Sequence, residues 1–203
     1  MKRIAALRLI ADEFAEEPII ASCGATSREL AAMAYRPNHL YMLDSMGLPS
    51  SLGLGLSLAL ESSRFAKIVV VEGDGGMLMN LSALATIGLL RPAKLVLIVL
   101  DNGVYASTGG QISAASVIEL DRVAESCGLN CLIAADEAEL QDMLKRARHL
   151  PGPLFLRARI SPENAAVPYL QEDPAIIYER FRAYVMAHKN DTAARIELPF
   201  RQA

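Results

Sequence analysis

Two short apolar runs, each ending in a polar turn that contains glycine, carry the residues best suited to chemistry in this chain. The first is Val69-Val70-Val71-Glu72-Gly73-Asp74-Gly75-Gly76, and the second is Leu95-Val96-Leu97-Ile98-Val99-Leu100-Asp101-Asn102-Gly103. Asp74 and Asn102 stand 28 positions apart, and residues 78–90 between them read as a helix. A strand–loop–helix–strand unit makes a right-handed crossover, which brings the carboxyl ends of neighbouring parallel strands to one sheet edge. A carboxylate oxygen and an amide oxygen would then share one hard cation. Magnesium suits such ligands and commonly keeps phosphate oxygens in its shell. Glycine lets backbone N–H groups approach a diphosphate, and the start of a helix favours negative charge. The pattern predicts a metal–diphosphate site; the plainer alternative is a metal-free turn, since Gly and Asp are common turn residues.

The elements that must position these turns follow from periodicity. Residues 4–14 have the apolar spacing of an amphipathic helix, and 18–24 read as a short buried strand ending in a turn. A helix starts within 25–30, with Thr26 or Ser27 as its N-cap. A second strand is predicted at 39–43, then a loop, then a helix over 50–61 rich in Gly, Ser and Ala, whose small side chains permit close packing. Residues 67–72 and 94–100 are apolar without alternation, as strands buried on both faces should be. Residues 105–111 read as a flexible polar loop. Helices are expected at 121–127, 137–149 and 173–188, strands at 130–134 and 153–160, and a tail at 191–203. The alternation predicts an α/β fold: a doubly wound, mostly parallel six-stranded sheet with helices on both faces. Residues 1–165 would form the main domain, and 166–203 a carboxyl-terminal helix and tail on or beyond it.

Composition sets the outer bounds. The chain has 203 residues, 52% of them hydrophobic, enough for one sizeable core. A formal net charge of −3 and no basic cluster argue against nucleic-acid binding. Cys23, Cys127 and Cys131 form no C-x-x-C pair, which suits reduced thiols in a cytoplasmic protein. The most apolar stretch, 52–60, is interrupted by serine and too short to span a membrane.

The spacing of the two turns resembles the fingerprint of thiamine diphosphate-dependent enzymes, Gly-Asp-Gly followed after somewhat under thirty residues by Asn. About residues 15–165 are similar to the diphosphate-binding domain of that family. Thr26-Ser27-Arg28-Glu29-Leu30, Ser45-Met46-Gly47 and Ser107-Thr108-Gly109-Gly110-Gln111 resemble the branch that decarboxylates sulfopyruvate and phosphonopyruvate. The resemblance implies that the Asp74 and Asn102 side chains and the Val104 carbonyl hold Mg2+. It further implies diphosphate contacts from Thr26, Ser27, Gly75 and Gly76, and a cofactor-binding set that includes Ser45, Gly73 and Tyr105. Met46 matches the apolar wedge that folds the two cofactor rings into a V. The carbonyl of Asp44 matches the acceptor for the aminopyrimidine, although relatives usually have Gly there. Relatives also often have Ser at the position of Gly76.

The implied reaction is the decarboxylation of a small 2-oxo acid to an aldehyde and carbon dioxide. No catalytic residue is expected in this chain. The glutamate that activates the cofactor belongs to a separate pyrimidine-binding domain, for which the chain has no room, and Glu61 and Glu72 are poor substitutes. The resemblance therefore implies a heteromer with a pyrimidine-binding α subunit, assembled from a homodimer or heterotetramer upward. The second anion of a sulfonate or phosphonate substrate would find donors in residues 107–111; Arg28 is the weaker candidate, because a helix-surface arginine is usually a solvated charge. Two other readings stay open: the thiamine-binding subunit of a 2-oxo acid oxidoreductase, and a non-catalytic diphosphate- or nucleotide-binding module, which the departures at Asp44 and Gly76 keep alive.

Overall fold

A computed structural model describes residues 1–189. Its frame is a six-stranded sheet in which every pairing is parallel. The strands are β1 (Ile19–Ala21), β2 (His39–Tyr41), β3 (Ile68–Gly73), β4 (Leu95–Asp101), β7 (Asn130–Ala134) and β8 (Leu154–Arg159), in the order β2-β1-β3-β4-β8-β7. The helices are α1 (Arg3–Glu13), α2 (Ala25–Met33), α3 (Pro49–Ala59), α4 (Asp74–Met79), α5 (Ser82–Leu90), α6 (Leu120–Ser126), α7 (Glu137–His149) and α8 (Pro174–His188). The sheet is doubly wound, as the alternation predicts.

Successive side chains of a strand point to opposite faces, and both faces here are covered. Val69, Val71, Val96 and Ile98 join Leu7 and Ile10 of α1, Leu30 of α2 and Leu140 of α7 in one core. Val70, Leu97 and Val99 join Leu54 of α3, Leu84 of α5 and Ala124 of α6 in the other. α8 closes over the sheet with Ile177, Phe181 and Val185 buried. The glycine-rich α3 lies very close, since a Cβ on Gly53 would stand 2.1 Å from Val70 Cγ2. Among the described residues no helix is long and apolar enough to cross a membrane.

The chain leaves β1 for β2 on one side and returns past β1 to β3 on the other. The strand order therefore reverses between β1 and β3, where open α/β sheets form a crevice at the strands' carboxyl ends.

Three expectations are corrected. The single helix over 78–90 is two. α4 begins at Asp74 itself, and the chain breaks at Asn80, whose Nδ2 donates to the Gly47 carbonyl at 2.8 Å and to Ser51 Oγ at 2.9 Å. The polar loop 105–111 is bounded by an antiparallel pair, β5 (Val104–Tyr105) with β6 (Gln111–Ile112). Neither Thr26 nor Ser27 caps α2; the N-cap is Gly24, with φ +77°, a left-handed conformation that suits glycine. The expected tail at 191–203 lies outside the described residues.

Candidate functional site

A cleft of about 120 Å³ opens at the switch point, walled by the loops that follow β1, β3 and β4. Asp74 is buried, and its Oδ1 accepts the Asn102 backbone N–H at 3.4 Å, while Oδ2 accepts the Ser113 hydroxyl. Asn102 Oδ1 accepts the Val104 N–H at 3.1 Å. The two ends of the crossover thus meet through the Asn102 main chain, and both residues line the cleft. Burial raises the Asp74 carboxyl above its usual range, although the Ser113 hydroxyl opposes the shift. One turn earlier, burial pushes Glu72 up to about 7, against the Gly73 N–H that it accepts at 3.2 Å. Glu72 Oε2 is buried with no hydrogen-bond partner.

Among the described residues the cleft holds acids but no uncommitted base. Arg3 reaches its wall, yet its guanidinium is spent on Glu29 at 2.9 Å and Asn164 at 2.8 Å. The glycines of the turn are a packing requirement. A Cβ on Gly75 would stand 2.3 Å from the Tyr105 ring, and one on Gly76 would stand 2.2 Å from Glu72 Oε1. Gly73, Gly75 and Gly76 all line the cleft, where they contribute main-chain atoms alone. Oxygen donors, buried negative charge without a cation and a side-chain-free backbone fit a divalent metal carrying a diphosphate.

Of the residues singled out in the sequence, Thr26, Met46, Gly73, Asp74, Gly75, Gly76, Asn102, Val104 and Tyr105 line this cleft together. Ser27, Asp44 and Ser45 do not. Ser27 lies one step round α2 from Thr26, and its hydroxyl donates to the Ala21 carbonyl at 3.0 Å, inside the fold. Asp44 and Ser45 are exposed in the loop after β2, where Ser45 adopts φ +64°. The turn they make carries Met46 to the cleft wall. The sequence assigns no site role to Arg3, Ser22 or Ser113 individually, and it sets Glu72 aside as a poor substitute for the activating glutamate. Ser22 and Glu72 are adjacent to the motifs and were accessible by extension. Arg3 and Ser113 arrive from distant elements, and no local signal marks them.

The family model for the thiamine pyrophosphate enzyme, C-terminal TPP binding domain, matches residues 22–158, so the chain belongs to the thiamine diphosphate-dependent enzymes through this domain. Relatives place it more narrowly. It is 41% identical over 181 residues to sulfopyruvate decarboxylase subunit beta of Methanothermobacter thermautotrophicus, covering 89% of this chain and 94% of that one. It is 39% identical over 197 residues to phosphonopyruvate decarboxylase of Streptomyces viridochromogenes, covering 96% of this chain but only 49% of the relative. An X-ray structure from Mycobacterium smegmatis, assigned as a thiamin diphosphate-dependent enzyme, superposes with a TM-score of 0.65 at 19% identity, over 80% of this chain and 32% of the other. That likeness supports the fold.

Proposed function

We propose that this chain is the thiamine diphosphate- and magnesium-binding subunit of a heteromeric decarboxylase that acts on sulfopyruvate or phosphonopyruvate in the cytoplasm. The observation that carries the proposal is the meeting of Asp74 and Asn102 in a cleft whose buried acids lack any free cation. Asp74, the Asn102 amide oxygen and the Val104 carbonyl would hold the metal. Gly75 and Gly76 would offer N–H groups, and Thr26 its hydroxyl, to the diphosphate. Met46, at the cleft wall, would support the bent cofactor, with the Asp44 carbonyl two residues earlier as an acceptor for the pyrimidine.

When bound, thiamine diphosphate supplies the electron sink that lets a 2-oxo acid lose carbon dioxide. The chain's own contribution is binding, orientation and the exclusion of water. Glu72 belongs to the metal turn, which leaves the activating carboxylate to a pyrimidine-binding partner subunit. The pairing of this chain with the β subunits along nearly their whole length supports that division of labour. Calorimetric titration tests the reading directly. Thiamine diphosphate should bind in the presence of Mg2+ and fail to bind with EDTA, and the mixture with the partner should release carbon dioxide from sulfopyruvate or phosphonopyruvate. Tighter binding of a nucleotide than of thiamine diphosphate would refute it.

A further inference from the structure

A second cavity, of about 420 Å³, adjoins the cofactor cleft, and Gly24, Ala25 and Ser107 line both. Its other walls come from α2, from the end of β2 and from the segment after β8, which contributes Asn164 and Tyr169. Among the described residues one cation, Arg28, lines it. The Arg28 guanidinium lies 4.8 Å from the centroid of the Tyr169 ring, and its Nε is buried without a hydrogen-bond partner among the described residues. Among the described residues no carboxylate pairs with Arg28. The adjacent acid, Glu29, turns to Arg3 instead: its Oε1 binds Arg3 at 2.9 Å and accepts the Ala165 N–H at 3.0 Å.

The alternative anion site, residues 107–111, has spent much of its donor capacity on itself. Thr108 Oγ1 and the Gly109 N–H both donate to Gln111 Oε1 at 3.0 Å. Ser107 lines the wall common to the two cavities. A guanidinium held against a tyrosine ring, with N–H groups unclaimed, is built to take an oxyanion through paired charge-assisted hydrogen bonds. An occupant of both cavities would therefore carry one reacting end in the cofactor cleft and one fully ionised end beside Arg28.

We propose that Arg28 is a specificity-determining residue that binds the sulfonate or phosphonate group of the substrate in this second cavity. This inference rests on the function proposed above and names the residue that would separate such substrates from plain 2-oxo acids. The segment carrying Tyr169 is fixed to the site by Asn164, whose Nδ2 donates to the Ala106 carbonyl at 3.0 Å. That bond joins the floor of the second cavity to the loop bordering the first.

The test uses the full chain reconstituted with its partner, together with Arg28→Gln and Arg28→Lys. With sulfopyruvate or phosphonopyruvate, kcat/KM should fall about 10- to 100-fold in Arg28→Gln, mainly through KM, and by an intermediate factor in Arg28→Lys, which keeps the charge without the fork. With pyruvate, which lacks the second anion, all three proteins should agree within about twofold, and their thermal midpoints should match. Independently of turnover, sulfoacetate titrated into the full chain should bind the wild type and not Arg28→Gln, while acetate binds neither. Equal losses on both substrates, or weakened thiamine diphosphate binding with unchanged discrimination, would overturn the inference and assign Arg28 to the fold or the cofactor. A wild-type complex inactive on every 2-oxo acid would sink the proposed function instead. In that event sulfoacetate binding would still decide whether Arg28 forms an anion site.

Discussion

Two buried acid clusters stand at the carboxyl ends of neighbouring strands, and only one of them is neutralised. At the end of β4, Asp101 and Asp121 are bridged by Arg157 of β8, with Nε at 2.7 Å from Asp101 and Nη1 at 2.6 Å from Asp121. All three are less than 10% exposed. At the end of β3, Glu72 and Asp74 are at least as deeply buried and have no basic partner among the described residues. Arg3, which lines the cleft, is bound to Glu29, and the negative charge of Asp101 pushes Asp74 further up. Burying an ionised carboxylate without compensation costs several kcal/mol, so such a site is retained where a ligand supplies the missing charge. The contrast separates a self-neutralised ion triad from an acid pair with no cation of its own among the described residues, although both read as a bare Asp after an apolar strand.

Removing the central cation of the first cluster should have the largest effect. Arg157→Met leaves Asp101 and Asp121 buried and unpaired, and should lower unfolding free energy by about 3–5 kcal/mol in urea denaturation, with Glu72 and Asp74 untouched. Next comes pH. Glu72 has a folded pKa of about 7 against an ordinary value of 4.5, so its neutral form favours the native state. That stability is complete below about pH 4.5 and is lost as pH rises through about 7, by up to about 3 kcal/mol. Glu72→Gln should flatten the decline in thermal midpoint over that window in the metal-free protein; an unchanged slope would show that Glu72 is not the titrating group.

Asp74→Asn should behave in the opposite sense to Arg157→Met. Stability of the metal-free chain should hold or rise, while thiamine diphosphate affinity in Mg2+ falls about 100-fold, or about 2.7 kcal/mol, by calorimetry. Comparable losses of stability in Asp74→Asn and Arg157→Met would erase the distinction between the two clusters. The smallest effect is steric. Gly75→Ala places a Cβ 2.3 Å from the Tyr105 ring, which must shift. Overpacking of that kind costs about 1–3 kcal/mol, and cofactor affinity should drop about tenfold while the far side of the sheet keeps its hydrogen-exchange protection.

The parallel sheet was legible because unalternating runs such as 68–71 and 95–100 can be satisfied only by cover on both faces. The Asp74–Asn102 pair was legible because a crossover of known hand places both residues at one edge whatever the helix between them does. That helix in fact splits at Asn80, and the pair still meets. Periodicity carries no information on which side chains the folded chain has already used. Ser27 matched a ligand position, yet its hydroxyl is spent on Ala21; Thr108 and Gly109 read as free donors, yet Gln111 takes them. Arg28 read as a solvated surface charge, yet a residue from the far end of the chain covers its guanidinium and leaves Nε buried. The amino-acid order alone determined the strands, their direction and the two turns that meet, because these depend on short-range pattern and chirality. Only the tertiary structure decided which polar groups remain uncompensated, because hydrogen bonds and ion pairs between residues as distant as Arg3 and Asn164 exist only once the chain has closed on itself.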